Sequence, residues 1–234
     1  MTPCLVGVDG CRGGWVAVVA IGADLKAMVY THWSALVSDI PPDSTIAVDI
    51  PIGLPTRGAR VCDLDARRVL GRPRASSVFP APIRAVLSCI GSHAELSALH
   101  RRIDGRGLTK QAFHILPKIR EVDLWLNENR EEEGRVWEIH PEVSFTAWNN
   151  GRPMLHHKCT TEGRAERECL IHALWPTERH RLWSGVARAG CGQDDLNDAI
   201  AALWTAGRVL TANHVRIPDH CHEDEAGRRM QIAA

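Results

Sequence analysis

Five acids occupy positions in this chain that ask for a chemical reason. Asp9 ends an apolar run, Cys4–Val8, and a glycine-rich turn, Gly10–Gly14, follows it at once. Aspartate is disfavoured inside strands. One at the end of a buried strand needs a partner, and a metal ion, a phosphate-binding loop or the turn's own backbone would each supply one. Asp49 repeats the pattern near the end of Thr45–Ile50, TIAVDI. Asp195 and Asp198 are three residues apart, so they share one face of a helix's first turn. An acid there serves as an N-cap or favours the dipole, which accounts for one or two of Asp194, Asp195 and Asp198 but does not require all three. Glu142 follows a third apolar run, Val136–His140, which itself contains Glu138.

The elements that must position these acids follow from the apolar pattern. Cys4–Val8 and Trp15–Ile21 read as a β-hairpin, with Lys26–His32 as a third strand of an antiparallel meander. A short helix spans Trp33–Asp39, and Pro41-Pro42 breaks it. Thr45–Ile50 is apolar without alternation, as a central strand covered on both faces should be. A helix is expected from about Asp63 to Leu70 and a polar surface helix over 92–104. Lys110–Glu128 carries apolar residues at helical spacing, with Pro117 expected to kink it or mark its first turn. Asn127–Gly134 reads as a charged connection, Val136–His140 as another buried strand, 150–162 as loop and 163–175 as helix. The last long helix is Asp195–Leu210, whose alanines make a small-residue face for close packing on a sheet. The tail, Val215–Ile232, is either a terminal hairpin or a loose extension.

Composition sets the outer limits. The 234 residues suffice for a sizeable core, and 44% apolar with 24% charged is ordinary for a soluble globular chain. Net charge is zero, so whole-chain electrostatics give nucleic-acid binding no support. A local exception is 57–84, where many arginines face only Asp63 and Asp65; this stretch is either a phosphate clamp or a solvated face. No apolar run is long enough to span a membrane, and MTPCLVGVDG lacks a signal-peptide layout, so the expectation is a cytoplasmic protein. The eight cysteines contain no CxxC pair and read as reduced thiols. His220-Cys221-His222-Glu223-Asp224 lacks the spacing of a zinc site.

Several segments are similar to those of a known family. GVDGCRGGWV (7–16), DIPIGLP (49–55), SSVF (76–79), KI.EVD (118–123), E.HPEVSF (138–145) and DDLNDAIAALWTA (194–206) together resemble the domain-of-unknown-function 429 family, whose members are predicted RNase H-like nucleases. The Asp195-x-x-Asp198 pair also resembles the carboxyl-terminal acids of RuvC-type resolvases. The resemblance implies one α/β domain over 1–234: an RNase H-like mixed five-stranded sheet flanked by helices, with a helical insertion at about 56–134 between strands four and five and a C-terminal extension at about 212–234. It also implies divalent-metal-dependent phosphodiester hydrolysis with Mg2+ or Mn2+.

On that resemblance, Asp9, Asp49 and Asp198 are metal ligands and Asp195 comes next. Glu142 is an additional ligand or a general base, and Glu138 supports the strand. His140 is more readily a structural histidine than a water-orienting one. Arg12, Arg57, Arg60 and Arg84 are candidates for phosphate contacts. The expected partner is nucleic acid or a small phosphodiester, with no membrane, and oligomeric state, a homodimer included, stays open. Two other readings stand: a nucleotide-binding phosphotransferase of the same topology, using Asp9–Gly14 as its phosphate loop, and a non-catalytic binding module.

Overall fold

The computed structural model describes residues 2–234. Three antiparallel strands come first: β1 (Cys4–Cys11), β2 (Gly14–Ile21) and β3 (Asp24–Tyr30). α1 (Trp33–Asp39) leads to β4 (Thr45–Val48), which runs parallel to β1, and β5 (Val136–Glu138) runs parallel to β4. The sheet order is β3-β2-β1-β4-β5, a mixed five-stranded sheet flanked by helices. β4 lies between two strands and is buried along most of its length, as its unalternating apolar sequence requires.

Between β4 and β5 the chain forms α2 (Val61–Arg74), α3 (His93–Asp104) and α4 (Lys110–Glu128). α2 breaks at Gly71, whose φ of 57° lies in the left-handed region that glycine adopts without strain. α4 continues through Pro117 as one helix. α5 (Pro141–Trp148), α6 (Thr161–Leu174), α7 (Glu178–Val186) and α8 (Gln193–Leu210) follow. α5 begins with proline at its first position, where the missing N–H costs nothing.

One face of the sheet packs Val6, Val8 and Trp15 against α1 and α4, through Trp33, Ile119 and Val122. Trp15 and Trp33 meet edge to face at 5.3 Å, a favoured aromatic geometry. The other face lies under α6, α7 and α8. α8 approaches unusually closely, because a Cβ on Gly7 of β1 would lie 2.0 Å from the Leu203 nitrogen and 2.2 Å from the Ala199 oxygen. Glycine on the strand and alanine on the helix together allow that approach.

The C-terminal residues form a docked hairpin, β6 (Arg216–Glu223) with β7 (Arg229–Ala233), so the loose-extension alternative is set aside. Ala233 bridges Ile139, and Arg84 bonds Asp224 of the hairpin and Asp123 of α4. The charged segment 130–135 is a 3-10 turn. α5 and α7 are additions to the elements expected from sequence, and β3 sits two residues earlier than expected. Among the described residues no helix is long and apolar enough to cross a membrane.

Candidate active site

The acids gather where β1 and β4 stop being paired. The parallel register ends at Val8 opposite Val48, and the Asp49 N–H donates to the Val8 carbonyl at 3.0 Å. Asp9 and Asp49 therefore leave neighbouring strands at the same level. β1 itself runs on to Cys11 with Asp9 opposite Val16, so the hairpin turn is shorter than the glycines suggest. α8 crosses β1 at Gly7, and Asp198 is the residue before Ala199 at that crossing. Three distant segments thus deliver Asp9, Asp49 and Asp198 to one place.

Their electrostatics reflect that gathering. Burial, then the Asp49 and Asp198 charges, raise the Asp9 carboxyl well above the usual range. Burial and Asp198 push Asp49 up to about 8, with Lys158 opposing. Burial also raises Asp198, while the Lys158 ammonium, 2.5 Å from its Oδ2, pulls the other way. Asp198 holds that ammonium above the ordinary lysine range. Asp195 accepts the Gly192 N–H at 2.8 Å, so one of its oxygens caps α8; its carboxyl is raised by burial.

Glu142 is buried in the first turn of α5 and paired through Oε1 with the buried Arg167. Its Oε2 is shielded from solvent and has no hydrogen-bond partner. An orphaned carboxylate oxygen is costly and is explained when another group takes it up. His140 contacts the Ser77 carbonyl through Nε2 at 3.4 Å, and burial lowers its pKa to about 4, so it is neutral at pH 7. Asp49, Asp198, Glu142, His140 and Lys158 all line one cavity of about 300 Å³. A larger cavity, about 660 Å³, lies between α8 and the Trp175 region and contains none of these acids.

The four arginines expected at phosphate do not line the acid cavity. Arg60 is buried, with its guanidinium on Asp63 at 2.6 Å, on Glu138 at 2.6 Å and on the Gly53 carbonyl. Glu138 also accepts the Ile52 N–H, so it braces the loop after β4. Arg84 is held by Asp123 and Asp224, while Arg12 and Arg57 are exposed and do not line the cavity. Sequence reasoning missed Lys158, Arg167 and Arg74, a further lining residue. Arg74 belongs to the arginine-rich run, but Lys158 sits in a polar loop with no periodicity to mark it.

The donor set suits a hard cation, since Asp9, Asp49, Asp198 and the free oxygen of Glu142 are all carboxylate oxygens. The Lys158 ammonium bonds Asp198 and also feels the charges of Asp9 and Asp49. Among the described residues the only three potential ligand atoms mutually within 4.8 Å belong to Cys62, Asp63 and Glu138. That trio is placed to hold a metal ion, but the Arg60 guanidinium already bonds both of its carboxylates.

The glycine turn bears on the phosphotransferase reading. The Gly13 N–H donates to the Gly190 carbonyl at 3.1 Å, and a Cβ on Gly13 would lie 2.1 Å from the Ala189 oxygen. The turn is packed against the end of the α7–α8 connection, with that amide already used.

No curated protein and no solved structure matches the chain. A family profile described as protein of unknown function (DUF429) matches residues 7–223. The chain therefore belongs to the DUF429 family.

Proposed function

We propose that this protein is a divalent-metal-dependent hydrolase of phosphodiester bonds built on an RNase H-like fold. The observation that carries the reading is the convergence of Asp9 and Asp49, at the ends of adjacent parallel strands, with Asp198 of α8: the Asp198 charge raises the carboxyls of both Asp9 and Asp49, and Asp49 raises that of Asp9. Sites in open α/β sheets form at those strand ends. Like charges crowded together are unfavourable unless a cation offsets them. Sheet order, strand direction and the position of α8 across β1 support the RNase H-like assignment.

Asp9, Asp49 and Asp198 would hold Mg2+ or Mn2+, with Asp195 behind them. When bound, the ion would supply positive charge to the phosphate oxygens and lower the pKa of water. Glu142, through its free oxygen, takes the proton of the attacking water. The water oxygen bonds to phosphorus, the P–O bond to the leaving group breaks, and the leaving oxygen is protonated from solvent. Lys158 sits within reach of Asp198 and the cavity, where its ammonium neutralises a phosphate oxygen.

Cleavage of bis(p-nitrophenyl) phosphate tests the proposal. The parent protein is expected to be active with manganese and inactive with chelator, and Asp9→Asn to lose that activity while keeping its circular dichroism. Full activity in Asp9→Asn refutes the assignment.

A further inference from the structure

The cavity beside the carboxylates has features that cation binding does not explain. Arg74 lines it and forms no ion pair among the described residues. Its Nε is shielded from solvent with no acceptor. A shielded guanidinium N–H without a partner is costly, and that cost is removed when an anion arrives. Lys158 lines the same space as a second cation. Phe79, half-buried, lines it, and Gln111 at the start of α4 and Ser76 after α2 stand at its rim. Paired cations, an aromatic ring and amide and hydroxyl groups make up a set suited to phosphate, base and base edge respectively.

Size narrows the ligand further. About 300 Å³ is at the small end of ligand pockets, room for one nucleotide unit rather than a helix. The chain's zero net charge gives no basic track of the kind that holds a duplex by its backbone.

We propose that this cavity takes a single nucleotide unit, with its phosphate between Arg74 and Lys158 and its base on Phe79. The substrate is then a nucleotide-sized phosphoester or the frayed end of a single strand, and internal linkages of closed or double-helical nucleic acid do not enter. This inference rests on the hydrolase reading above for its chemistry: water oxygen joins the phosphorus of the captured nucleotide, the P–O bond to the leaving alcohol breaks, and that alcohol takes up a proton.

The test compares four substrates with the whole protein and manganese. They are the p-nitrophenyl ester of thymidine 5′-monophosphate, a linear single-stranded oligonucleotide, the same strand closed into a circle, and a blunt duplex. The ester or the linear strand should be hydrolysed, with circle and duplex interior spared. Preference for the ester identifies a free small substrate, and preference for the strand identifies strand ends; both support the pocket. Phe79→Ala should raise KM roughly 10-fold, since base stacking on an aromatic ring is worth about 1–3 kcal/mol. Arg74→Ala should raise it too, with partial recovery in Arg74→Lys. Cutting of the circle as fast as the linear strand overturns the inference while leaving the hydrolase reading intact. Should none of the substrates be cut, the hydrolase reading fails by itself, and calorimetric titration with thymidine 5′-monophosphate decides the pocket. Binding that is lost in both Phe79→Ala and Arg74→Ala sustains it, and no binding to the parent protein overturns it.

Discussion

Gly7→Ala is the sharpest perturbation of this architecture. A Cβ on Gly7 would sit 2.0 Å from the backbone nitrogen of Leu203 and 2.2 Å from the carbonyl oxygen of Ala199. Ordinary contact begins at 3.4 Å, so β1 and α8 must separate by about 1.4 Å. Both obstacles are backbone, and no rotamer change relieves them. Overpacking of a core costs about 1–3 kcal/mol when side chains can adjust; with backbone on both sides, about 3 kcal/mol or more is expected. Gly207, in the same helix, is the control. Its Cβ would meet only Leu5 Cδ1, at 3.5 Å, and replacing a glycine in the last turn of a helix by alanine stabilises by at most about 0.5–1 kcal/mol, the mid-helix value. Guanidinium denaturation should therefore move the two midpoints in opposite directions. Manganese binding should weaken in Gly7→Ala alone, because the displaced helix carries Asp195 and Asp198. A Gly7→Ala protein within about 0.5 kcal/mol of the parent would refute the packing argument.

Other perturbations address the charges. Asp49 has its carboxyl raised from 3.8 to about 8 by burial and Asp198, with Lys158 opposing and Glu138 adding to the rise. The folded state thus keeps a proton that the unfolded chain releases, and the resulting stability is complete below about pH 4 and lost as pH rises toward 8. Asp49→Asn should remove that loss. At about 1.4 kcal/mol per pH unit, less screening at the cavity mouth, the variant should gain about 2–3 kcal/mol on the parent between pH 5 and 8.5 in metal-free denaturation; parallel pH profiles would contradict this. Lys158→Ala strips Asp198 of its partner and should destabilise the metal-free protein by about 3 kcal/mol at pH 8, with manganese restoring more of the melting temperature than in the parent. Arg60→Ala leaves Asp63 and Glu138 buried without their cation and should cost about 3–5 kcal/mol, as urea denaturation would show; a loss under about 1 kcal/mol would mean that the guanidinium is dispensable.

How much could be read from the sequence depended on whether a feature is local. The β1–β2 hairpin, β4 and α8 announce themselves through apolar runs, glycine and alanine, because their neighbours bury them on known faces. α5 was not distinguished because PEVSF carries no clean helical period, and α7 because ERHRLWSGV is mostly polar. The arginine-rich run shows where sequence is silent. Arg60 and Arg84 turn inward onto acids distant in the chain, Glu138 and Asp224, while Arg74 keeps its charge unpaired. Composition treats all three alike, and only the folded chain separates them. Lys158 is the same case, since its partner Asp198 lies 40 residues away.

The closeness of α8 to β1 has a bearing on how the chain comes into being. β1, β2 and β3 are complete by residue 30, yet the helices that cover their second face, α6, α7 and α8, begin only at residues 161, 178 and 193. During synthesis Val16 and Val18, both fully buried in the finished protein, stay incompletely covered until α8, residues 193–210, has been made. Such a surface invites association with other nascent chains or capture by a chaperone. Truncations that stop before α8 should therefore aggregate rather than yield a smaller folded unit.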